Sequence, residues 1–395
     1  MRARWFLALA AACAAIAIPQ RASAAPGESL PPVNTLVLLQ LAGGNDGLAT
    51  VIPYTDPAYA AVRKTIAPAN ADLIRLDGRL ALHPALAPLM EAWKAGDFAI
   101  ALGVGYPDPN RSHFRSTDIW ETASSSREVL STGWLARLLT PSTRPAGIFA
   151  DSLILGETQP GPLKGPGMHN LSMDNLDAFL RDAAQMDGAA HGGKGSLGYI
   201  DAVQQDIVAA AAVLATIKPS IKEPSFAFPD TGLGRQMKTS FQLLAAGLRV
   251  PVIKLTLRGF DLHSGEAPVQ QRLLSELAGA VAALRQNLVA AGLWDRVLLM
   301  TYSEFGRRVE ENASNGTDHG TAAPVFILGG RVKGGFYGSQ PSLAAADLEQ
   351  GDMKPALDFR WLYRTVAEQF WGITDTAVFR SVFSTVGGSV PFLRP

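Results

Sequence analysis

Apolar runs alternate with amphipathic stretches along the chain, and this alternation predicts strand–helix–strand units. NTLVLLQLAGGNDG and DFAIALGVGYP each hold a short apolar run that opens into polar or glycine-rich residues, a pattern typical of a buried parallel strand and the loop after it. Between them, PALAPLMEAWKAG has apolar residues at helical spacing and ends in glycine, so it predicts an amphipathic helix. Together the three stretches predict a βαβ unit.

The same alternation returns in the second half of the chain. VPVIKLTLRGFD, DRVLLMTYSEFG and APVFILGG predict strands, APVQQRLLSELAGAVAALRQNLVAAG predicts a long helix, and FRWLYRTVAEQFWG predicts a closing helix. Residues from about 142 to 230 differ, because stretches rich in Gly and Pro flank a helical segment, YIDAVQQDIVAAAAVLATI. We therefore expect one α/β domain over residues 33–395, with an inserted cap at about 142–230.

The N-terminal segment has the three parts of a secretory signal. Arg2 and Arg4 precede an apolar run of about 14 residues, which is too short to span a bilayer comfortably, and small residues follow at Ala22 and Ala24. We expect cleavage after Ala24, so that residues 1–24 form a signal peptide and the mature protein is periplasmic or extracellular. No membrane-spanning segment is predicted after the signal.

Composition narrows the classes of function. The chain has 395 residues, of which 47% are hydrophobic and 18% charged, so a large core is available. The formal net charge is 0 and no Lys/Arg cluster stands out, which argues against a nucleic-acid partner. The single cysteine, Cys13, lies in the predicted signal. A metal in the mature protein would therefore be held by His, Asp, Glu or hydroxyl groups.

Polar side chains gather where the predicted strands end. Ligands of open α/β sheets bind beyond the carboxyl ends of the strands. The polar stretches at these positions are Asn45-Asp46, NRSHF (110–114), FDLH with Asp261 and His263, SEFGR (303–307), and TDHG with Asp318 and His319. Each could face the same crevice.

These residue types suit divalent cations. Asp261, His263 and His319 would form one Asp/His₂ site with an open coordination position, and zinc accepts this combination of imidazole and carboxylate. Asp46 and Glu304, together with the Ser112 hydroxyl, could form a second, oxygen-rich site for zinc, magnesium or calcium. Two neighbouring cations suit displacement at phosphorus or sulfur.

Ser112 precedes a stretch, FRSTDIWETA, that predicts a helix. A hydroxyl at a helix N-terminus meets free N–H groups, and a metal that lowered its pKa would make it a nucleophile, with Arg111 or Arg307 clamping the anionic ester. Each residue also has a structural alternative. Ser112 could cap the helix, Asp46 could form a turn, and Glu304 could pair with Arg307. For His113, the roles of ligand, substrate contact and structural polar group all stay open.

The ordered set LQLAGGNDGL, RSHF, FDLH, SEFGRR, GTDHGTAAPVFILGG and VKGGFYG resembles the DUF1501 family of exported bacterial proteins, which is related to the alkaline phosphatase and sulfatase superfamily. The resemblance implies an alkaline-phosphatase-like three-layer sandwich with a mostly parallel central sheet. It also implies that Asp46, Asp261, His263 and His319 bind metal and that Ser112 is the nucleophile.

The sequence departs from the superfamily pattern at Ser303-Glu304. The superfamily usually has an Asp-His pair at this position, so the resemblance leaves the second metal site altered or empty. A sulfatase-type CxPxR sequence is also missing, which argues against a formylglycine nucleophile.

These observations lead to the hypothesis of an exported, metal-dependent hydrolase that cleaves a phosphate-type or related anionic ester with a metal-activated serine. The substrate would be a small anionic ester or envelope-derived material, and the sequence indicates no particular protein partner. The alternative is a non-catalytic secreted binding protein that retains the fold. A third hypothesis, an SGNH-type esterase suggested by GGND, lacks the required GDS nucleophile.

Overall fold

The structure is a computed structural model, and it describes residues 32–186, 196–384 and 387–395. The predicted signal peptide, residues 1–24, lies outside the described residues. Within them, no helix combines the length and hydrophobicity needed to cross a lipid bilayer.

A large sheet forms the middle layer of the molecule. The strands of the described residues are β1 (Thr35–Ala42), β2 (Val51–Ile52), β3 (Ile74–Arg75), β4 (Ala81–Leu82), β5 (Phe98–Gly105), β6 (Ser152–Leu155), β7 (Asn170–Met173), β8 (Val252–Arg258), β9 (Val297–Tyr302), β10 (Ala323–Gly329), β11 (Gly335–Gly338) and β12 (Leu357–Asp358). Nine of these make the large sheet, in the order β11-β5-β10-β9-β1-β8-β6-β7 with β12 beside β5, and β2, β4 and β3 make a small second sheet.

All pairings within the large sheet are parallel except those of β10. β1 lies parallel to both β8 and β9, with Leu38 opposite Lys254 on one side and Met300 on the other. β10 runs antiparallel to β5 and β9. The start of β10 therefore lies at the same edge of the sheet as the carboxyl ends of its neighbours.

Helices cover both faces of the sheet. The helices of the described residues are α1 (Gly47–Thr50), α2 (Pro57–Val62), α3 (Met90–Ala95), α4 (His113–Thr122), α5 (Trp134–Leu138), α6 (Leu176–Ala183), α7 (Ser196–Ile217), α8 (Gly232–Ala245), α9 (Glu266–Ala290), α10 (Phe359–Thr365) and α11 (Thr376–Phe383). Short 3₁₀ helices lie at Asn70–Asp72, Pro84–Leu89, Gly161–Leu163, Lys218–Ser220 and Trp294–Arg296, and a π turn lies at Val366–Phe370.

β1 illustrates how the two cores form. Val37 and Leu39 pack on one face against residues of α8 and α9, whereas Leu36 and Leu38 pack on the other against α4, α5, α10 and α11. Because successive side chains of a strand point to opposite faces, a strand buried on both faces has a continuous apolar run. The predicted α/β class, with three layers around a mostly parallel sheet, is confirmed.

One local prediction differs from the structure. The helix predicted for PALAPLMEAWKAG begins as the 3₁₀ helix Pro84–Leu89 and becomes α-helical only at Met90, because Pro88 has no N–H to donate. Within the segment predicted as an inserted cap, 142–230, β6 and β7 extend the large sheet beyond β8. These strands have four residues each, and runs this short give little periodic signal.

Candidate functional site

Loops beside four strands of the large sheet meet at one of its edges. His113 opens α4 after β5, Asp261 and His263 follow β8, and Glu304 follows β9. His319 precedes β10, whose reversed direction carries it to the same edge. The structure therefore brings together Asp261, His263 and His319, and it adds His113.

Two glycines let these loops pack backbone against backbone. Gly43 has φ +118°, and a Cβ there would lie 2.4 Å from the backbone nitrogen of Asp261. A Cβ on Gly316 would lie 2.3 Å from the carbonyl carbon of His263. Any larger residue would force the loops apart. The Gly43 N–H also donates to Oε1 of Glu304 at 2.8 Å, which joins the loops after β1 and β9.

Each of the three imidazoles turns its Nδ1 outward to an oxygen. Nδ1 of His319 lies 2.9 Å from the Arg111 carbonyl oxygen, Nδ1 of His263 lies 3.1 Å from Oδ1 of Asp318, and Nδ1 of His113 lies 2.9 Å from Oε1 of Glu304. A carbonyl or a carboxylate can only accept a hydrogen bond, so each Nδ1 is placed to donate its proton. A neutral ring that donates through Nδ1 has its lone pair on Nε2.

The three Nε2 atoms converge on the carboxylate of Asp261. Nε2 of His263 and of His319 lie 3.0 and 3.2 Å from Oδ1 of Asp261, and Nε2 of His113 lies 3.3 Å from Oδ2. The Nε2 atoms of His263 and His319 are 3.0 Å apart. Ligands of a tetrahedral zinc ion, each about 2.0–2.1 Å from the metal, are about 3.3 Å from one another. Ligand atoms of His113, Asp261 and His319 all lie within 4.8 Å of one another, so these three residues fit the donors of one cation. His263 adjoins them through Asp261 and His319.

Apolar and cationic groups surround this cluster. The Phe305 ring lies 4.8 Å from the His113 ring and 4.6 Å from the His319 ring, between centroids. Beneath the cluster, the Arg307 guanidinium donates to Oδ1 of Asp261 at 2.8 Å. A hydrogen bond that orients a carboxylate and an apolar shell that limits access of solvent are features of the surroundings of metal ligands.

Arg307 does not lie where a substrate clamp is needed. Its side chain is 0% exposed, and its nitrogens donate to the carbonyl oxygens of Gly44, Thr317 and Phe260 at 2.7–2.9 Å, and to that of Gly43. The guanidinium thus holds the loops after β1 and β8 and the one before β10. Its alternative predicted partner, Glu304, binds His113 and Gly43 instead.

The charges of two groups in the cluster follow from their surroundings. Burial alone would raise the pKa of Asp261, but the hydrogen bond and the positive charge of Arg307 lower it to about 2. The hydrogen bond from His263 lowers the pKa of Asp318. Burial lowers the pKa of His319, so this ring is neutral at pH 7. An ionised carboxylate next to a neutral imidazole is the protonation state that metal binding requires.

Ser112 occupies the N-cap position of α4, and its side chain makes no capping hydrogen bond. The residue is exposed. Its neighbours on both sides contact the cluster, Arg111 through its carbonyl oxygen and His113 through its ring. The Arg111 guanidinium forms an ion pair with the buried Asp352.

Asp46 lies apart from the imidazoles in a buried ion pair. It caps α1, where Oδ1 accepts from the backbone nitrogens of Leu48 and Ala49 at 2.9 and 3.2 Å. The Arg63 guanidinium contacts both oxygens of the carboxylate, one of them at 3.3 Å. The structure therefore places a guanidinium where the sequence predicts a second cation, and it does not join Asp46 and Glu304 in one site.

Glu266 completes this buried network. Its Oε2 accepts from the Thr317 hydroxyl at 2.7 Å, and the side chain is 1% exposed. Burial and the nearby negative charge of Asp46 raise the pKa of Glu266 to about 9. At neutral pH the network therefore holds one carboxylate, one protonated carboxyl group and one guanidinium.

Replacing Glu266 by glutamine is expected to flatten the pH dependence of stability between pH 5 and 9. Because the folded-state pKa of about 9 exceeds the ordinary value of 4.5, the wild-type carboxyl favours folding below pH 4.5, and this contribution is lost as pH rises through 9. One proton contributes a slope of up to about 1.4 kcal/mol per pH unit. Urea unfolding of wild type and Glu266→Gln at several pH values measures this slope of the unfolding free energy.

Burial also raises the pKa of Glu121 to about 7. The pH dependence of the unfolding free energy that Glu121 causes is the same in wild type and in Glu266→Gln, so it cancels in their difference. Parallel curves for wild type and Glu266→Gln over pH 5–9 would contradict the assignment of Glu266 as protonated.

Two residues of the site had weak or no sequence signals. His113 belongs to the NRSHF stretch after a predicted strand, but its role was open because the chain at this point indicates no acceptor for its Nδ1. Glu304 is that acceptor, and it is 191 residues away. Arg63 follows AAV within a helical stretch and has no sequence feature that links it to Asp46.

Residues 209–382 match the model of the family described as "Protein of unknown function (DUF1501)". The match contains Asp261, His263, Glu304 and His319, while Asp46 and Ser112 lie outside it. The predicted resemblance to this family is confirmed over these residues. Among curated proteins, none matches the sequence.

Several solved structures are similar to the chain at low identity. The lipoteichoic acid synthase LtaP from Listeria monocytogenes is 9% identical with a TM-score of 0.36, over 89% of this chain and 77% of that one. The sulfatase PsFucS1 from Pseudoalteromonas sp. is 10% identical with a TM-score of 0.37, over 87% and 68%. The C-terminal periplasmic domain of EcEptC from Escherichia coli, in complex with Zn, is 11% identical with a TM-score of 0.32, over 76% and 77%.

Proposed function

We propose that the chain is an exported, metal-dependent hydrolase that cleaves a phosphate-type or related anionic ester at the cluster of His113, Asp261, His263 and His319. The observation that carries this proposal is the orientation of the three imidazoles. Each has its Nδ1 within 2.9–3.1 Å of an oxygen that can accept its proton, and its Nε2 within 3.0–3.3 Å of a carboxylate oxygen of Asp261. Lone pairs that converge on a carboxylate repel one another unless a positive charge lies between them.

Zinc fits this donor set best. Imidazole nitrogen with one carboxylate oxygen is a typical zinc combination, and outward Nδ1–H bonds to Glu304, Asp318 and the Arg111 carbonyl would fix the ligand tautomers. The cation, when bound, would supply the positive charge that lowers the pKa of an attacking hydroxyl and offsets the charge of the ester. His263 is 46% exposed and marks the solvent side, where zinc can accept a fifth ligand.

We propose a single cation. The Arg63 guanidinium already neutralises Asp46, so the position predicted for a second metal carries a built-in positive charge. Magnesium or calcium is therefore not needed at that position. The expected content is one zinc ion per chain.

Ser112 is the proposed nucleophile. Its exposed hydroxyl lies between two residues that contact the cluster, and no capping bond engages it. In the first step a bond forms between Ser112 Oγ and phosphorus while the bond from phosphorus to the leaving oxygen breaks, and the serine proton passes to that oxygen. Water then cleaves the serine ester, which releases phosphate and restores the hydroxyl.

The test uses the mature protein purified with zinc. Elemental analysis should find about one zinc per chain, and aryl phosphate mono- or diesters should be hydrolysed. A chelator should abolish this activity and added zinc should restore it. Protein that holds no zinc after dialysis at pH 7 would overturn the proposal. Export is checked separately by the N-terminal sequence of protein recovered from the cell envelope, which should begin at Ala25.

Replacing Ser112 by alanine is expected to lower turnover by at least about a thousandfold while zinc content stays the same. The stability of the protein should change by less than about 0.5 kcal/mol, because the side chain makes no capping bond. The exposed Ser131 provides a matched control, and Ser131→Ala should retain full activity. Full turnover by zinc-loaded Ser112→Ala would show that water attacks directly.

The second candidate function is non-catalytic binding of an envelope component. One observation favours it: Asp46 is committed to Arg63, whereas a two-cation displacement requires both metals. Bound zinc without turnover on aryl phosphates and aryl sulfates would select this function.

A further inference from the structure

The motif RSHF ends in a phenylalanine that the proposed reaction does not use. Phe114 is 88% exposed, and Val129, in the loop after α4, is 79% exposed. A phenylalanine this open leaves nearly all of its apolar area in water, and covering that area with another apolar group is favourable. Single exposed apolar residues are common on protein surfaces, so the position of these two decides whether they have a function.

Phe114 lies on the solvent side of the first turn of α4, next to the imidazole cluster. Ser112 is the N-cap of this helix and His113 is its first residue. Ser116 is buried, and its hydroxyl donates to the carbonyl oxygen of Glu304. Residues two apart in a helix point about 200° from one another, so the Phe114 side chain points away from the buried side of α4. It also leans toward Ser112, because the Cα–Cβ bonds of a helix tilt toward its N-terminus.

Arg115 holds the segment that carries Val129 beside this turn. Its Nη2 donates to three carbonyl oxygens of the loop after α4, those of Ser125 and Ser126 at 3.2 and 3.3 Å and that of Glu128. Val129 directly follows the last of these residues. The two exposed apolar residues therefore flank one arginine, Phe114 through the chain and Val129 through the bound loop. We call Phe114 and Val129 the apolar rim.

The apolar rim is within reach of a substrate on the proposed nucleophile. Two residues of a chain span at most about 7 Å, which limits the distance between the Cα atoms of Ser112 and Phe114. An ester that is bound at Ser112 and carries a chain of several carbon atoms on its ester oxygen therefore reaches the Phe114 ring. A methyl group is too short to cover it.

We propose that Phe114, with Val129 beside it, binds the hydrocarbon part of an amphiphilic anionic ester, and that this contact selects such esters over small hydrophilic ones. The inference rests on the proposed function, because Ser112 and the metal centre hold the charged end of the substrate. It names a substrate class, alkyl or aryl esters whose apolar group is large enough to cover the ring. The contact is the same before and during reaction, so it affects KM and not kcat.

The test compares the affinities of zinc-loaded protein for methylphosphonate and hexylphosphonate by calorimetry. Both have the same charged end, and neither has an ester bond to cleave. Wild type should bind hexylphosphonate at least about tenfold more tightly. Phe114→Ala should lose most of this preference, while its zinc content and its affinity for methylphosphonate stay the same. Phe114→Leu should keep most of the preference, and Val129→Ala should lose a smaller part of it than Phe114→Ala.

A matched control removes an exposed phenylalanine elsewhere. Phe226 is 43% exposed on the loop before α8, and its hydrogen bonds with Asn287 use only its backbone. Phe226→Ala should therefore bind both phosphonates as wild type does. In turnover, Phe114→Ala should raise the KM for hexyl phosphate by about tenfold and leave its kcat unchanged.

The outcomes separate this inference from the proposed function. Zinc-loaded wild type with equal affinity for the two phosphonates, or with no affinity for either, would overturn the inference and leave the metal centre in place. Unchanged hexylphosphonate affinity in Phe114→Ala would do the same. If that variant also lost a dimer that wild type forms in sedimentation, the ring would belong to an interface between two copies of the chain. Wild type without zinc would overturn the proposed function, and the inference with it.

Discussion

His319→Ala is expected to lower the affinity for zinc by at least about a hundredfold and to abolish ester hydrolysis, because second-sphere changes alone cost about 10- to 100-fold. The ring supplies an Nε2 atom 3.2 Å from Asp261 and 3.0 Å from the Nε2 of His263. Its Nδ1–H also binds the carbonyl oxygen of Arg111, next to the proposed nucleophile Ser112. Zinc affinity measured with a competing chelator, together with turnover, checks the prediction.

A matched control removes a histidine elsewhere. His169 lies 3.6 Å from Asp206 and does not touch the cluster, so His169→Ala should keep both zinc affinity and turnover. Circular dichroism should show the same fold for both variants, since His319 is on a loop before β10 and not in the core. Unchanged zinc affinity in His319→Ala would refute the proposed ligand set.

Arg63→Met is expected to lower the free energy of unfolding by about 3–5 kcal/mol, the usual cost of removing one partner of a buried ion pair. The guanidinium and the Asp46 carboxylate are only 1% and 2% exposed. Arg63 also donates to the carbonyl oxygens of Val309 and Arg308 at 2.7 and 2.6 Å, which would lose their partners. Glu266 cannot offset the lost charge, because its carboxyl group is already protonated at pH 7. Urea denaturation at pH 7 measures the change.

Two further variants isolate the charge effect. Arg63→Met with Asp46→Asn should recover part of the lost stability, because a neutral amide needs no buried counter-charge. Arg63→Lys, which keeps the charge, should lose less stability than Arg63→Met and provides a folded variant if the latter does not fold. A midpoint of Arg63→Met equal to that of wild type would contradict the assignment.

The strands were predictable because their runs are buried on both faces. β1, β5, β8 and β9 lie within the apolar runs that predicted them, and α9 covers most of its predicted helix. The direction of β10 was not predictable, because direction depends on the neighbours with which a strand exchanges hydrogen bonds. β6 and β7 were not recognised, since four residues are too few to separate a buried strand from an apolar turn.

The site was predictable in part for a related reason. Asp261, His263 and His319 were expected to meet because each lies next to the end of an apolar run, where side chains of a parallel sheet gather. The expected pairing of Asp46 with Glu304 was not found, since Arg63 binds one and His113 binds the other. Both partners are distant in the chain, so local patterns carry no information about them.

The sequence by itself determined the α/β class, the strand ends that carry polar groups and the residue types available to a metal, because these depend on local periodicity and on composition. Tertiary structure alone decided which charges are neutralised within the fold and which side chains meet at the edge of the sheet. Arg307 and Arg308 are adjacent in sequence, yet one is buried against four carbonyl oxygens and the other is half-buried and interacts electrostatically with Asp318 and Asp352. Ion pairs form in space, and chain folding brings their members together from any separation.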